Sequence, residues 1–216
     1  MAGPKGGTMS NNQGVVTGIT KEQGAIWEQL VFNGISSSIP GLSEMVGQEV
    51  KVTSLDPRQQ DTGRVNGILG GPETIIAGIY LGIEGTAPGQ LLLAFEPTTA
   101  YRLIDMLMMQ PEGTTTGIGE MEESVLGEMG NVMGAFFLTV LGDNTDGQFL
   151  PTPPLVINDM AGSVVDAILA QMMLDADDVF AVETKFGADG MEIEGAFLGL
   201  PSDALVSIAL QERSAA

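Results

Sequence analysis

Two residue types are missing outright from this chain of 216 residues: it has no cysteine and no histidine. Without cysteine there is no disulfide framework, no thiol nucleophile and no thiolate metal site, and the redox compartment goes unmarked. Without histidine there is no Ser-His-Asp triad, no imidazole general base and none of the common zinc or di-iron ligand sets. Positive charge is scarce too. Eight Lys and Arg stand against 28 Asp and Glu, a formal net charge of −20. The imbalance comes mostly from the missing basic residues. Such a surface repels phosphate backbones and is poorly attracted to anionic membranes, which argues against nucleic-acid binding and membrane association. Adaptation to a high-salt cytoplasm is one reading of it. No apolar run approaches the roughly 18 residues a membrane span requires, so no membrane insertion and a soluble, cytoplasmic protein are expected. No glycine-rich stretch has P-loop or dinucleotide-binding spacing. Any chemistry must rest on carboxylates, amides, hydroxyls or backbone.

What is present is enough for a sizeable core, since 44% of the residues are hydrophobic. The most informative stretch runs from Glu120 to Pro154. Its first part, to about Leu141, lacks proline and repeats large apolar residues at helical spacing. Val125, Met129, Val132, Met133, Phe136 and Val140 are expected to form its buried face. Ser124, Glu128 and Asn131 stand at i, i+4 and i+7, a polar line along the helix. Gly127, Gly130 and Gly134 cluster on a third side. Each glycine costs about 1 kcal/mol relative to alanine inside a helix, so close approach of another backbone is expected to offset them.

In chain order, residues 1–14 are small, polar and glycine-rich and read as a disordered leader without the apolar core of a signal peptide. Residues 15–216 read as one domain. A helix is expected from about Thr20 to Met45, broken or kinked at Pro40. Gln48–Leu55 alternates like a strand, and Asp56 to Pro72 reads as a loop. Thr74–Glu84 and Gln90–Phe95 form a hairpin through Gly85-Thr86-Ala87-Pro88-Gly89. Glu96–Met109 is helical, with Pro97 in its first turn. The second half repeats this order. A long helix (about 119–141) precedes the extended Phe149–Asn158 and a short helix (about 162–174). Val179–Phe186 and Met191–Leu198 then pair through Gly187-Ala188-Asp189-Gly190, and a closing helix starts near Pro201. Phe95-Glu96-Pro97-Thr98-Thr99-Ala100 also matches Gly199-Leu200-Pro201-Ser202-Asp203-Ala204 in place. The reading is an α+β fold built from a duplicated helix–strand–hairpin–helix unit (about 20–109 and 119–210). It implies an antiparallel sheet of about six strands, with the two long helices packed together through their glycine faces.

Ser-x3-Glu-x2-Asn (Ser124, Glu128, Asn131) followed by Pro154, with Gly134-Ala135-Phe136-Phe137 and Pro151-Thr152-Pro153-Pro154, resembles the signature of the CheC/CheX/FliY phosphatases of bacterial and archaeal chemotaxis. The resemblance implies the same duplicated fold, and a substrate that is the aspartyl phosphate of a CheY-like response regulator. That partner would carry its own Mg²⁺ and lysine, so the phosphatase needs no cofactor or metal of its own. By resemblance, Asn131 would orient the attacking water, since an amide offers donor and acceptor together. Glu128 would pair with the partner's lysine, Ser124 would support the contact one turn away, and Pro154 would set the strand entry beside the helix. Aligning Gly41-Leu42-Ser43-Glu44-Met45-Val46-Gly47 with the end of the family's first helix places Gln29 and Phe32 where the acid and amide would stand, a register one residue away being the alternative. Glu28 and Asn33 nearby, at i and i+5, do not share a face. One active site is therefore expected, in the second half.

Other readings stand beside this one. A Glu and an Asn on an exposed helix face are ordinarily solvated surface residues. Glu120, Glu122 and Glu123 suit a helix N-terminus, and without a loop carrying further oxygen ligands they make a poor cation site. The 13 methionines read as core filler. A non-catalytic adaptor of the same family would instead bind a CheD-like receptor deamidase or the flagellar or archaellar switch. An unrelated acidic ligand-binding domain is the remaining alternative.

Overall fold

The computed structural model describes residues 21–172, 178–188, 191–202, 204–205 and 207–208. The expected leader, the tip of the second hairpin at Asp189-Gly190 and most of the closing helix lie outside them, although Ala204, Leu205, Ser207 and Ile208 are helical. The elements are α1 (Lys21–Val46), β1 (Lys51–Asp61), α2 (Thr62–Ile68), β2 (Ile75–Gly85), β3 (Gly89–Phe95) and α3 (Pro97–Leu107). They continue with α4 (Glu120–Thr145), β4 (Phe149–Pro151), β5 (Leu155–Met160), α5 (Ala161–Met172), β6 (Asp178–Ala188) and β7 (Met191–Pro201).

The strands form one antiparallel sheet in the order β1-β6-β7-β3-β2-β4, with β5 also on β2. The halves interlock. β1 of the first half pairs with β6 of the second, while β4 and β5 of the second pair with β2 of the first. β3 and β7 meet in the middle, with Leu92 opposite Leu198. Alternation along the strands sends successive residues to opposite faces. Leu91 and Leu93 join Val31, Ile35, Leu126, Met129, Met133 and Phe137 in the larger core under α1, α3 and α4. Leu92 and Ala94 join Val65, Leu69, Val164 and Ile168 under α2 and α5. The result is three layers, α/β/α, with the two long helices together on one face. The Phe137 and Phe197 rings, 5.2 Å apart, stitch α4 to β7.

Several expectations change. The sheet has seven strands, because Phe149–Asn158 is not one extended run: it breaks into β4 and β5 at Thr152-Pro153-Pro154. β1 begins later and runs on to Asp61, and β1 and α2 together take most of what read as loop. α1 continues through Pro40 without a break. The buried face of α4 is Leu126, Met129, Met133, Phe137, Leu138 and Leu141 with Gly127, Gly130 and Gly134. Of the expected stripe only Met129 and Met133 are buried; Val125, Val132 and Val140 are half-buried and Phe136 is exposed. The glycines of α4 meet the sheet, not α1. A Cβ on Gly130 would lie 2.5 Å from Ile79 Cγ2, and one on Gly134 would lie 3.1 Å from Leu81 Cδ2. The glycines at the helix–helix seam belong to α1: Gly34 receives the Phe137 ring, and Gly41 receives Val132 and Phe136. By length and composition α4 could cross a membrane, but 50% of that stretch is buried inside the fold.

Candidate functional site

α4 starts where Gly119 turns the chain. The Glu122 carboxylate accepts the Gly119 N–H at 3.0 Å, and the Glu123 N–H donates to the Gly119 carbonyl at 2.8 Å. Three acids in the first turn complement the positive end of the helix. Asp146, in the left-handed conformation at φ 46°, closes the other end. With the sheet on one side and α1 on another, the helix is fixed on two sides. Its third side carries Ser124 and Glu128, both exposed, Asn131, half-buried, and then Ala135 and Thr139, exposed. No hydrogen bond or ion pair among the described residues engages the side chains of Ser124, Glu128 or Asn131. The acid and the amide, three residues apart, share one outward ridge.

Pro154 meets this ridge from behind, its Cγ 3.5 Å from where a Cβ on Gly127 would stand. Thr152 fixes the strand break that brings it there. The Thr152 Oγ1 accepts the Gly82 N–H at 2.8 Å, and the Thr152 N–H donates to the Gly82 carbonyl at 2.9 Å. A Cβ on Gly82 would come within 2.9 Å of Thr152 Cγ2. Sequence reading singled out Pro154 but missed Thr152 and Gly82; the polar residue between two prolines was the available signal.

It also missed Asp105. This carboxylate, 2% exposed, accepts the backbone N–H groups of Gly113 (2.7 Å), Thr114 (3.2 Å) and Thr115 (2.8 Å). Burial pushes its pKa up, but hydrogen bonds from Thr115, Gly113 and Thr114 outweigh that and hold it below the ordinary aspartate value. It ties the end of α3 to the loop that delivers α4. An acid on the apolar side of a helix, between Ile104 and Met106, was the clue.

α1 and α4 are both 26 residues long, and each end of α4 follows the matching end of α1 by 99 positions (Lys21 to Glu120, Val46 to Thr145). That spacing puts Gln29 at the place of Glu128 and Phe32 at the place of Asn131. The Gln29 amide donates to Asn33 Oδ1 at 2.9 Å, and Phe32 is 43% exposed. α1 therefore presents an amide and a phenyl ring where α4 presents an acid and an amide.

Neither Glu128 nor Asn131 lines the cavities of 280, 160 and 260 Å³ that open elsewhere on the molecule. Among the described residues, no three acids stand close enough to hold a metal ion. An uncovered ridge on a rigid helix suits insertion into a partner's surface, not enclosure of a small molecule.

Comparison with known proteins gives the class. No family model matches the chain. It is 25% identical over 173 residues to the CheY-P phosphatase CheC of Bacillus subtilis, covering 79% of this chain and 83% of that protein. Thermotoga maritima FliY has the same fold, with a TM-score of 0.69 at 18% identity over 91% of this chain and 98% of that one. So does a chain of the H. pylori FliG–FliM complex, with a TM-score of 0.63 at 14% identity over 88% of this chain and 100% of that one. The fold is thus one that FliY and a chain of a FliG–FliM complex share. In sequence the chain is similar to CheC, and in fold to FliY and FliM.

Proposed function

We propose that the protein hydrolyses the aspartyl phosphate of a CheY-like response regulator, using Glu128 and Asn131 on α4. The observation that carries this reading is the pairing of an exposed acid with a half-buried amide, three residues apart on a helix held by Gly130, Gly134 and Val132. It is supported by the likeness to a CheY-P phosphatase over most of the chain.

Phosphoryl transfer asks for positioning and charge stabilisation more than for covalent help. The partner brings Mg²⁺ and a lysine to its own phosphoryl group. Asn131 inserts beside it, accepting a hydrogen bond from the attacking water and donating through its NH₂, so that a lone pair of the water faces phosphorus. Glu128, without an ion pair in the free protein, meets the partner's lysine and fixes the register. Ser124 extends the contact one turn toward the helix start, and Pro154 braces the ridge through Gly127. A chain without histidine or cysteine loses nothing in this scheme, because no step needs an imidazole or a thiol. The reaction places the protein in the cytoplasm, with its partner.

The second reading is a non-catalytic adaptor that binds the motor switch or a CheD-like deamidase. It is favoured by the fold's presence in a FliG–FliM complex and by Phe32 standing where α1 would need an amide. One measurement separates the two: loss of acyl phosphate from a phosphorylated CheY-like regulator, with and without the protein. Acceleration supports the phosphatase. Binding to the regulator without acceleration supports the adaptor.

A further inference from the structure

We propose that Phe136 is the apolar anchor of the surface on which the response regulator docks, setting affinity while Asn131 sets turnover. This rests on the phosphatase reading of α4. Glu128, Val132 and Phe136 follow one another at i, i+4 and i+8, a line about 12 Å long that runs from the exposed ridge round to the α1 side of the helix. Phe136 is 37% exposed, although a ring of that size is usually covered. It is not loose. A Cβ on Gly41 of α1 would stand only 2.6 Å from Phe136 Cε2 and 2.9 Å from Val132 Cγ1, so the ring and Val132 sit directly on the α1 backbone. A ring held this way has little rotamer freedom left to lose on binding. Ala135, exposed and one turn after Asn131, leaves the space between the ring and the amide open to a partner.

A lone exposed apolar residue is common and needs no explanation. Phe136 differs by its position, close along α4 to Asn131 and Glu128, and like them it lines none of the three cavities described above. An apolar centre beside polar and charged groups is how docking surfaces are built, with a few fixed aromatics carrying most of the affinity. The occupant is the receiver domain itself, because Phe136 stands only about 7.5 Å along the axis from Asn131, within the footprint of a domain that brings its phosphoryl group to that amide.

The test compares Phe136→Ala, Phe136→Leu and Ala135→Arg in the full chain. KM and kcat are read from decay of the phosphorylated regulator, and affinity from titration with the beryllofluoride-loaded regulator. Phe136→Ala is expected to raise KM and Kd about tenfold with a much smaller change in kcat. Phe136→Leu, which keeps an apolar cap over Gly41, is expected to fall between it and the native protein. Ala135 is exposed, so Ala135→Arg decides the matter if Phe136→Ala fails to fold; it too is expected to raise KM. Phe32→Ala should leave both constants unchanged. Unchanged KM and Kd in a folded Phe136→Ala, or in Ala135→Arg should Phe136→Ala not fold, overturn the proposal while leaving the phosphatase reading intact. So does a Phe136→Ala effect that proves to be a change in self-association. If the native protein binds the loaded regulator but never accelerates hydrolysis, the phosphatase reading fails, and the Kd series still tests the anchor. Absence of any binding overturns both.

Discussion

Asn131 and Glu128 lie on the same ridge but differ in burial, and that difference gives their substitutions different signatures. Asn131 is half-buried and would act mainly on the transition state, so Asn131→Ala should lower kcat by about 10²-fold with little change in affinity for the beryllofluoride-loaded regulator. Glu128 is exposed, and in the proposed mechanism its contribution would lie in the docked complex; Glu128→Ala should therefore weaken affinity and turnover together. Neither variant should lower the melting temperature, because neither side chain is part of the core. If both retain full turnover, the reaction is not carried by α4. Asp105 predicts a different outcome. Its pKa is lower in the folded protein than in the unfolded chain, so its stabilisation is complete above the ordinary aspartate pKa of about 3.9 and is lost as pH falls through the folded value. Asp105→Asn should cost about 1–3 kcal/mol at neutral pH, because an amide cannot accept all three N–H groups. It should also flatten the acid limb of a stability–pH curve. A native-like acid limb in that variant would show that Asp105 is not what the loop before α4 depends on.

Helical periodicity was enough to place Ser124, Glu128 and Asn131 on one side of α4, since a polar line needs only the residue names. The opposite side was misread, and the cause is the glycines. Gly127, Gly130 and Gly134 add almost nothing to a hydropathy pattern, yet they mark where the helix lies nearest the sheet, and including them turns the buried face toward Leu126, Met133 and Phe137. β1 was misread at its far end for a related reason. Among the described residues it is an edge strand paired with β6 alone, so Pro57 is tolerated and polar Arg58, Gln59 and Gln60 stand where a central strand would be apolar. Pro40 read as a break because proline removes one helical hydrogen bond; α1 nonetheless runs through it, packed along its length on α4. At this scale the glycine contact gives a direct prediction. Gly130→Ala should improve intrinsic helix propensity but drive a methyl into Ile79, which is fully buried. Overpacking of this kind typically costs about 1–3 kcal/mol, more than the roughly 1 kcal/mol gained in propensity. A lower denaturant midpoint with an unchanged m-value is the expected result. A stabilised variant would mean that α4 can lift from the sheet at no cost.

The order α, β, α, β, β of the first half recurs in the second with its first strand split into β4 and β5, and the sheet order exchanges the outer strands between the halves. The two halves are proposed to superpose as repeats about a pseudo-twofold axis between β3 and β7. On that axis residues 53–55 of β1 correspond to Thr152-Pro153-Pro154. There the β1–β6 register shifts between Val52 and Ser54 but the strand is not interrupted. The first half thus keeps the helix and a bulge in the right place while lacking the acid, the amide and the proline. Duplication of the architecture with divergence at two side chains is open to test by gain of function. In an Asn131→Ala background, Gln29→Glu with Phe32→Asn would rebuild the acid–amide pair on α1. Phe32 is 43% exposed and Gln29 is exposed, so neither change opens a cavity in the core or buries a charge. Turnover of the phosphorylated regulator should then rise above that of Asn131→Ala alone, though short of the native rate, because Leu55 stands where Pro154 would brace the ridge. Gln29→Glu alone, with Phe32 still in place, should recover nothing, since an acid without the amide has no means of orienting water. If the double change recovers nothing while the variant melts like its parent, α1 is not a second copy of the α4 site, and the likeness between the two helices ends at their packing.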